Sequence, residues 1–323
     1  MKLLIITQKV DKNDSVLGFF CRWITEFSKH FETITVICLY KGEYDLPENV
    51  KVLSLGKEER QSRLQYLIHF YWYVCYERKN YDAIFVHMNQ IYIVLAGILW
   101  KIWRKKLVIW YTHKSVTLKL RLSVLFANLV FTASKESFRI RTSKVRIMGH
   151  GIDVDFFSPD SNVRSGEALL SAGRLMPVKH HDLAIEAANE AGMLIRIAGE
   201  GTEQKKLELL AKKLGAHAEF LGPLNQTELR NEYRRASFLI HTSETGSLDK
   251  AVLEALACGL PVISTSNSLE GIPIIKATPS PKSIAEAIAL HRDKDSSSLP
   301  EYVRKHHSLE NLISNIVEKI KSI

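Results

Sequence analysis

Few features of the 323-residue sequence suggest crosslinks, metal clusters or membrane spans. Four cysteines, Cys21, Cys38, Cys75 and Cys258, are scattered without a CxxC pair. That spacing offers no disulfide framework and no zinc ligand set, so a reducing cytoplasm and no metal site are expected. The longest apolar run, IYIVLAGILW from Ile91, is about half of the roughly 20 residues that cross a bilayer. The opening MKLLIITQKV returns to polarity after Leu3 to Thr7. This is shorter than the roughly 7–15 apolar residues of a secretory signal, and it reads as a first strand. Low-complexity tracts are missing too. With 46% hydrophobic and 24% charged residues, collagen-like and disordered classes drop out.

Acidic residues are scarce in only one half. Residues 1–160 hold 24 Lys and Arg against 15 Asp and Glu, while residues 161–323 hold 20 against 20, so the net charge of +9 lies wholly in the first half. Such asymmetry suits an anionic partner: a membrane surface, a phosphorylated acceptor or nucleic acid. A solvated basic face with no partner is the plain alternative. Nucleic acid is disfavoured, because no helix-turn-helix, RRM or zinc pattern is present and the basic residues interleave with apolar ones. Two segments, YLIHFYWYVCYERK and LWKIWRKK, have the aromatic and basic composition of helices that dip into lipid headgroups, although the same spacing also suits core packing.

The chain alternates strand-like and helix-like segments. KLLIIT, TITVICL, AIFVHM, KLVIWY and LVFTAS are short β-branched runs, separated by segments of helical spacing such as FFCRWITEFSKHF. VRIMGHGIDVDFFSPDSNVRSGE interrupts the rhythm, which restarts with LLSAGR, MLIRIAGEG, AEFLGPL, SFLIHTS and PVIST. Parallel βαβ units follow from this pattern. We expect two doubly wound α/β domains, 1–150 and 151–307. Beyond them, Leu309, Leu312, Ile313, Ile316 and Ile320 make an apolar stripe on a helix of about 308–323 that packs back on the first domain.

In doubly wound sheets, ligands bind beyond the carboxyl ends of the strands, where helix N-termini aim N–H groups outward. Three loops of the second half fit. LSAGRLMPVKHHD places Arg174 after a strand and Lys179 five residues on. IAGEGTEQKKL offers Gly199 and Gly201 ahead of a helix, and HTSETGSLDKAVLE supplies Ser243, Gly246 and Ser247. Two cations and two helix starts on one rim suit a diphosphate. GEGTEQ lacks the third glycine of GxGxxG, which disfavours an NAD-dependent dehydrogenase.

The ordered series GHGIDVDFF, SAGRLMPVKHHD, IAGEG, FLGPL and TSETGSLDKAVLEALACGLPVIST resembles the retaining glycosyltransferases of family 4, also called glycosyl transferases group 1. The resemblance covers nearly the whole chain and is densest from Val145 to Thr265. It implies the GT-B fold, two Rossmann-like domains facing across a cleft. It further implies that Gly173, Arg174 and Lys179 match the family's GRxxxxK element and neutralise a nucleotide-sugar diphosphate. Glu254 matches the distal acid of E(x7)E, which hydrogen-bonds ribose. Leu221 and Gly222 match the stretch against the base, and His113, in WYTHKS, matches a histidine near donor sugar and acceptor. Ser243, Glu244, Gly246, Ser247, Leu248 and Asp249 form the donor-sugar loop.

The sequence departs from that pattern twice. The proximal acid of E(x7)E falls on Gly246; Glu244 or Asp249 could substitute, or the backbone N–H groups of Gly246 and Ser247 could hold the sugar or phosphate. After the first strand, the Gly-Gly loop on the acceptor side is reduced to Gly18 in QKVDKNDSVLGFF. By resemblance, the activity is metal-independent, retaining transfer from a UDP- or GDP-sugar to a glycan or lipid-linked acceptor, in the cytoplasm or on the inner membrane face. A nucleotide-sugar epimerase and a non-catalytic binding protein are the alternatives.

Overall fold

Ile, Val and Leu fill the central strands at nearly every position, which is the composition of parallel sheets covered on both faces. In β1 (Leu3–Val10), Leu3 and Ile5 pack on one side of the sheet, and Leu4 and Ile6 on the other. Alternate side chains of a strand point to opposite faces, so one short run feeds two cores.

A computed structural model describes residues 1–163, 166–244, 248–292 and 295–323. These divide into unit 1, Met1–Gly151 with Leu309–Ile323, and unit 2, Ile152–Ser308. Unit 1 continues with α1 (Phe19–Ser28), β2 (Ile34–Lys41), β3 (Val50–Ser54), α2 (Arg63–Tyr76) and β4 (Ala83–His87). Next come α3 (Ile91–Ile102), β5 (Lys106–Trp110), α4 (Leu118–Phe126), β6 (Leu129–Thr132) and β7 (Val145–Ile147). All neighbours in its sheet, ordered β3-β2-β1-β4-β5-β6-β7, are parallel. The stretch read as interrupting the alternation therefore opens with one more strand, since Val130 to Thr132 pair with Val145 to Ile147.

Unit 2 repeats the plan with β8 (Leu169–Ala172), α5 (His181–Glu190), β9 (Ile195–Ala198), α6 (Gln204–Leu214), β10 (Ala218–Gly222) and α7 (Gln226–Arg235). It closes with β11 (Phe238–His241), α8 (Lys250–Ala257), β12 (Val262–Ser264), β13 (Ile275–Lys276), α9 (Pro281–Leu290) and α10 (Leu299–His307). Its parallel sheet runs β10-β9-β8-β11-β12-β13. The order reverses between β8 and β11, and in unit 1 between β1 and β4. Such reversals open a crevice at the carboxyl edge of a doubly wound sheet.

The final helix, α11 (Leu309–Lys321), buries Leu309, Leu312, Ile313, Ile316, Val317 and Ile320 in the unit 1 core shared with α1. Lys106 Nζ donates to the carbonyls of Ile320 and Lys321 at 3.2 and 2.9 Å, so a cation closes its C-terminal turn. The opposite face of the sheet carries α2, α3 and α4. Among the described residues, no helix is long and apolar enough to cross a membrane.

Candidate functional site

The reversal in unit 2 brings the loops after β8 and β11 to neighbouring positions. Gly173 follows β8 at φ +147°, a backbone conformation that favours glycine, and the Lys179 stem lies beside it: a Cβ built on Gly173 would be in ordinary contact with Lys179 Cε at 3.9 Å. Arg174 is exposed. A short 3₁₀ turn, Pro177–Lys179, then delivers His180 in the left-handed region at φ 49°. Thr242, just past β11, fixes this turn by donating its hydroxyl to the carbonyls of Lys179 and His180, both at 2.8 Å. Glu244 N–H donates to the Val178 carbonyl at 3.1 Å.

At the centre is Asp249. Its Oδ2 accepts from Lys179 Nζ at 2.6 Å and lies 2.8 Å from His241 Nε2, while His241 Nδ1 lies 2.8 Å from Ser264 Oγ. Burial works against ionising this carboxyl, but the hydrogen bond from His241 and the Lys179 ammonium hold it well below the usual carboxylate range. A carboxylate only accepts, so Nε2 of His241 carries a proton toward it. Asp249 also occupies the N-cap position of α8 yet makes no side-chain cap hydrogen bond. Its charge turns to Lys179 and His241, and the positive end of α8 keeps its first-turn N–H groups clear of that carboxylate.

One turn further along α8, Glu254 is buried at 5% exposure, with Lys250 Nζ at 3.1 Å and the Tyr233 hydroxyl donating to it at 3.3 Å. Burial, followed by the charge of Glu254, keeps the Tyr233 phenol protonated. Ser243 is buried, Glu244 is exposed and reaches His180 Nε2 at 3.2 Å, and Leu248 packs against the core. Gly246 and Ser247, the positions at which the acidic pattern breaks, lie outside the described residues.

The glycines after β9 answer to packing. A Cβ on Gly199, at φ +141°, would sit 1.9 Å from the Gly173 carbonyl oxygen, and one on Gly201 would sit 2.2 Å from that of Leu175. These two loops are laced together by Leu175 N–H to the Glu200 carbonyl at 2.9 Å and by Glu203 N–H to the Leu175 carbonyl at 3.0 Å. Only glycine allows so close an approach. Gly222 ends β10 at φ +70°, with Leu221 before it, and its carbonyl accepts from Gly199 N–H at 2.8 Å.

Beneath the Lys179 turn, His181 is 3% exposed, and its Nδ1 lies 2.8 Å from Ser171 Oγ. Burial pushes its pKa down from 6.5 to about 4. A folded-state value below the unfolded one means that the unfolded chain binds more protons between pH 6.5 and 4, so stability is lost as pH falls through that window. We expect a loss on the order of 3 kcal/mol across it. Denaturant unfolding at intervals from pH 7 to 4 should show this slope, and His181→Gln should flatten it.

In unit 1, His113 stands three residues beyond β5 and is exposed. Its Nδ1 accepts from Ser115 N–H at 3.1 Å, with the Ser115 hydroxyl at 2.7 Å. In the neutral ring the proton is therefore on Nε2, an outward donor. Gly18 caps α1 where a Cβ would lie 2.6 Å from the Asp14 carbonyl oxygen, which accounts for that glycine by close packing. Among the described residues, no group of three or more His, Cys, Asp or Glu is placed to hold a metal ion.

Of the residues singled out in the sequence, Gly173, Lys179 and Asp249 come together, with the backbones of Ser243 and Glu244 beside them. Three participants carried weak signals. His241 is the last residue of a buried strand, FLIH, at the carboxyl edge. Tyr233 belongs to a helix that is polar apart from it and Leu229, and Lys250 stands four residues before Glu254, an ion-pair spacing.

The model described as "Glycosyl transferases group 1" matches residues 155–294, and "Glycosyl transferase 4-like" matches residues 12–144. The D-inositol 3-phosphate glycosyltransferase of Frankia alni is 30% identical over 148 residues, 38% of this chain and 36% of that protein. Its counterpart from Mycolicibacterium smegmatis is 30% identical over 152 residues, 42% of this chain and 35% of that protein. The chain thus spans about a third of the length of the curated relatives it matches. Among solved structures, Anabaena Alr3699/HepE in complex with UDP superposes with a TM-score of 0.77 at 19% identity, covering 100% of both chains. Sucrose-phosphate synthase from Thermosynechococcus elongatus gives 0.75 at 13%, covering 100% of this chain and 99% of that one.

Proposed function

Because the chain belongs to the GT-B glycosyltransferases of family 4, group 1, we propose that it moves a sugar, with retention and without a metal ion, from a nucleotide-diphosphate sugar to a glycan or lipid-linked acceptor. The reading places the enzyme in the cytoplasm, peripheral to the inner face of the membrane. The observation that carries it is the anchored Lys179: its side chain passes beside Gly173 at the strand-order reversal, next to the N-terminus of α8, with one N–H committed to Asp249. An ammonium has three donors, and among the described residues Asp249 takes one of them, which leaves two for phosphate oxygens. Exposed Arg174 adds a guanidinium suited to bidentate phosphate contact.

Transfer requires charge to be stabilised as it develops on the departing diphosphate. A cation whose position is already fixed needs no reorganisation at that moment. In this reading Glu254, oriented by Lys250 and Tyr233, accepts from a ribose hydroxyl, and His113 Nε2–H donates to a sugar hydroxyl. UDP-glucose, named with Anabaena Alr3699/HepE in a solved complex, is the first donor to try. We expect UDP or GDP to raise the Tm of unit 2, by about 2.7 kcal/mol of stabilisation at 100 times the dissociation constant. Sugar release from the matching nucleotide sugar, assayed with lipid-linked and glycan acceptors, should follow. Failure of UDP, GDP and ADP alike to shift Tm would count against a nucleotide-sugar donor.

A further inference from the structure

We propose that the outer face of α2, α3 and α4 docks on the surface of a bilayer containing anionic lipids. This rests on the peripheral location just proposed and names its face and lipid class, but it does not depend on the transfer chemistry.

The three helices lie side by side. The Tyr71 hydroxyl of α2 donates to the Leu95 carbonyl of α3 at 2.9 Å, and a Cβ on Gly97 of α3 would lie 2.8 Å from the Phe126 ring of α4. Their inner sides build the core with Phe70, Val74, Ile93, Trp100, Leu120 and Val124. Their outer sides are unlike an ordinary solvated layer. Along α2, Leu64, Ile68, Trp72 and Tyr76 are 66%, 57%, 55% and 67% exposed, and the last two rings stack at 5.3 Å. Residues four apart advance by only about 40° around a helix, so they form one stripe. Ile98 and Ile102 of α3 and Leu118, Leu122 and Leu125 of α4 extend it. Nine of the nineteen exposed large apolar residues described in the chain thus fall on these three helices, a concentration that marks an interaction surface.

Charge identifies the occupant. None of the three helices contains an Asp or Glu, and residues 101–150 hold twelve Lys and Arg against one acid, Glu136. Where α3 and α4 end, a cavity of about 560 Å³ is lined by Lys101, Arg104, Lys105, Lys106 and Lys144 beside Leu125. Three of these cations donate to carbonyls: Lys105 to Tyr81, Lys106 to the end of α11, and Lys144 to the end of α4. Carbonyls orient an ammonium without cancelling its charge, so the cluster stays positive. A second copy of the chain would meet this face with the same sign and no acids. Lipid phosphates supply the opposite sign, and the apolar stripe enters between headgroups.

The test is co-sedimentation of the full chain with vesicles of phosphatidylcholine alone and of phosphatidylcholine with phosphatidylglycerol. Binding should require phosphatidylglycerol and weaken with salt. It should be lost in Ile68→Ser/Trp72→Ser, a variant at solvent-facing positions whose Tm should stay near wild type. Lys101→Ser/Arg104→Ser should weaken it about fivefold per charge, about 25-fold together. Lys179→Ala should bind as well as wild type, which separates a failure of the transferase reading from a failure of this one. The proposal is overturned if neither vesicle binds. It also fails if the serine pair leaves binding unchanged, or if light scattering shows a dimer that this pair dissociates.

Discussion

Lys179→Ala should lower kcat/KM for sugar transfer by about a hundred- to a thousandfold, the size of effect seen when a positioned charge-stabilising donor is removed. The fold should persist, because Asp249 keeps His241 as a partner at 2.8 Å and the Lys179 backbone stays tied to Thr242. Lys179→Ala should still lower Tm, because it removes one member of a largely buried ion pair. Arg174→Ala should cost a comparable factor in rate with little change in Tm, since Arg174 is exposed. Groups that stabilise the same developing charge act as a unit, so the double variant should fall well short of the product of the two losses. Steady-state kinetics with the donor identified by thermal shift, alongside circular dichroism, would decide the matter. Either single variant retaining activity within about threefold of wild type would remove fixed-cation stabilisation as the mechanism.

The sequence carried the doubly wound pattern because the central strands are buried on both faces and must be apolar throughout. Leu3 to Ile6 and Ala83 to Val86 cannot be mistaken for loops. The three strands it did not reveal, β3, β7 and β13, lie at or near sheet edges, where half-exposed positions admit Lys51, Arg146 and Lys276 and blur the apolar run. The site shows the same divide. Lys179 and Glu254 stand out as candidates in the sequence because their chemistry fits a motif. His241 does not, since a histidine closing a buried strand looks like core until Asp249 is seen opposite it. Gly199 and Gly201 were legible as glycines of close approach, but only the structure shows that what approaches them is the neighbouring loop.

Asp249→Asn tests the remaining link, because the structure assigns this side chain a different task from the one its sequence position suggests. An asparagine keeps the shape and can still accept from His241 through Oδ1. Because Lys179 and His241 both bond to the one oxygen Oδ2, the carbonyl oxygen of the asparagine in that place still accepts from both, but it is neutral and the ammonium loses its counter-charge. Removing one member of a largely buried ion pair costs about 3 kcal/mol, and these two side chains are only 18% and 20% exposed. For a unit of this size we expect Tm to fall by about 6–12 °C. Transfer should slow along with it, because a Lys179 held by a neutral acceptor is less firmly positioned for the developing charge.

The pH dependence carries a sign that identifies the cause. Asp249 is held below its ordinary value of 3.8, so its contribution is fully present above that pH and is lost as pH falls through the lower folded-state value. The stability difference between wild type and Asp249→Asn should therefore be flat from pH 7 to near 5. It should shrink only in strong acid, and the His181 titration, common to both proteins, cancels from the difference. If Asp249 instead replaced the acid missing at Gly246 as a contact to donor sugar, the variant would relax discrimination among sugars. In that case Tm would stay within about a degree of wild type, since a solvent-side contact of that kind contributes little to folding.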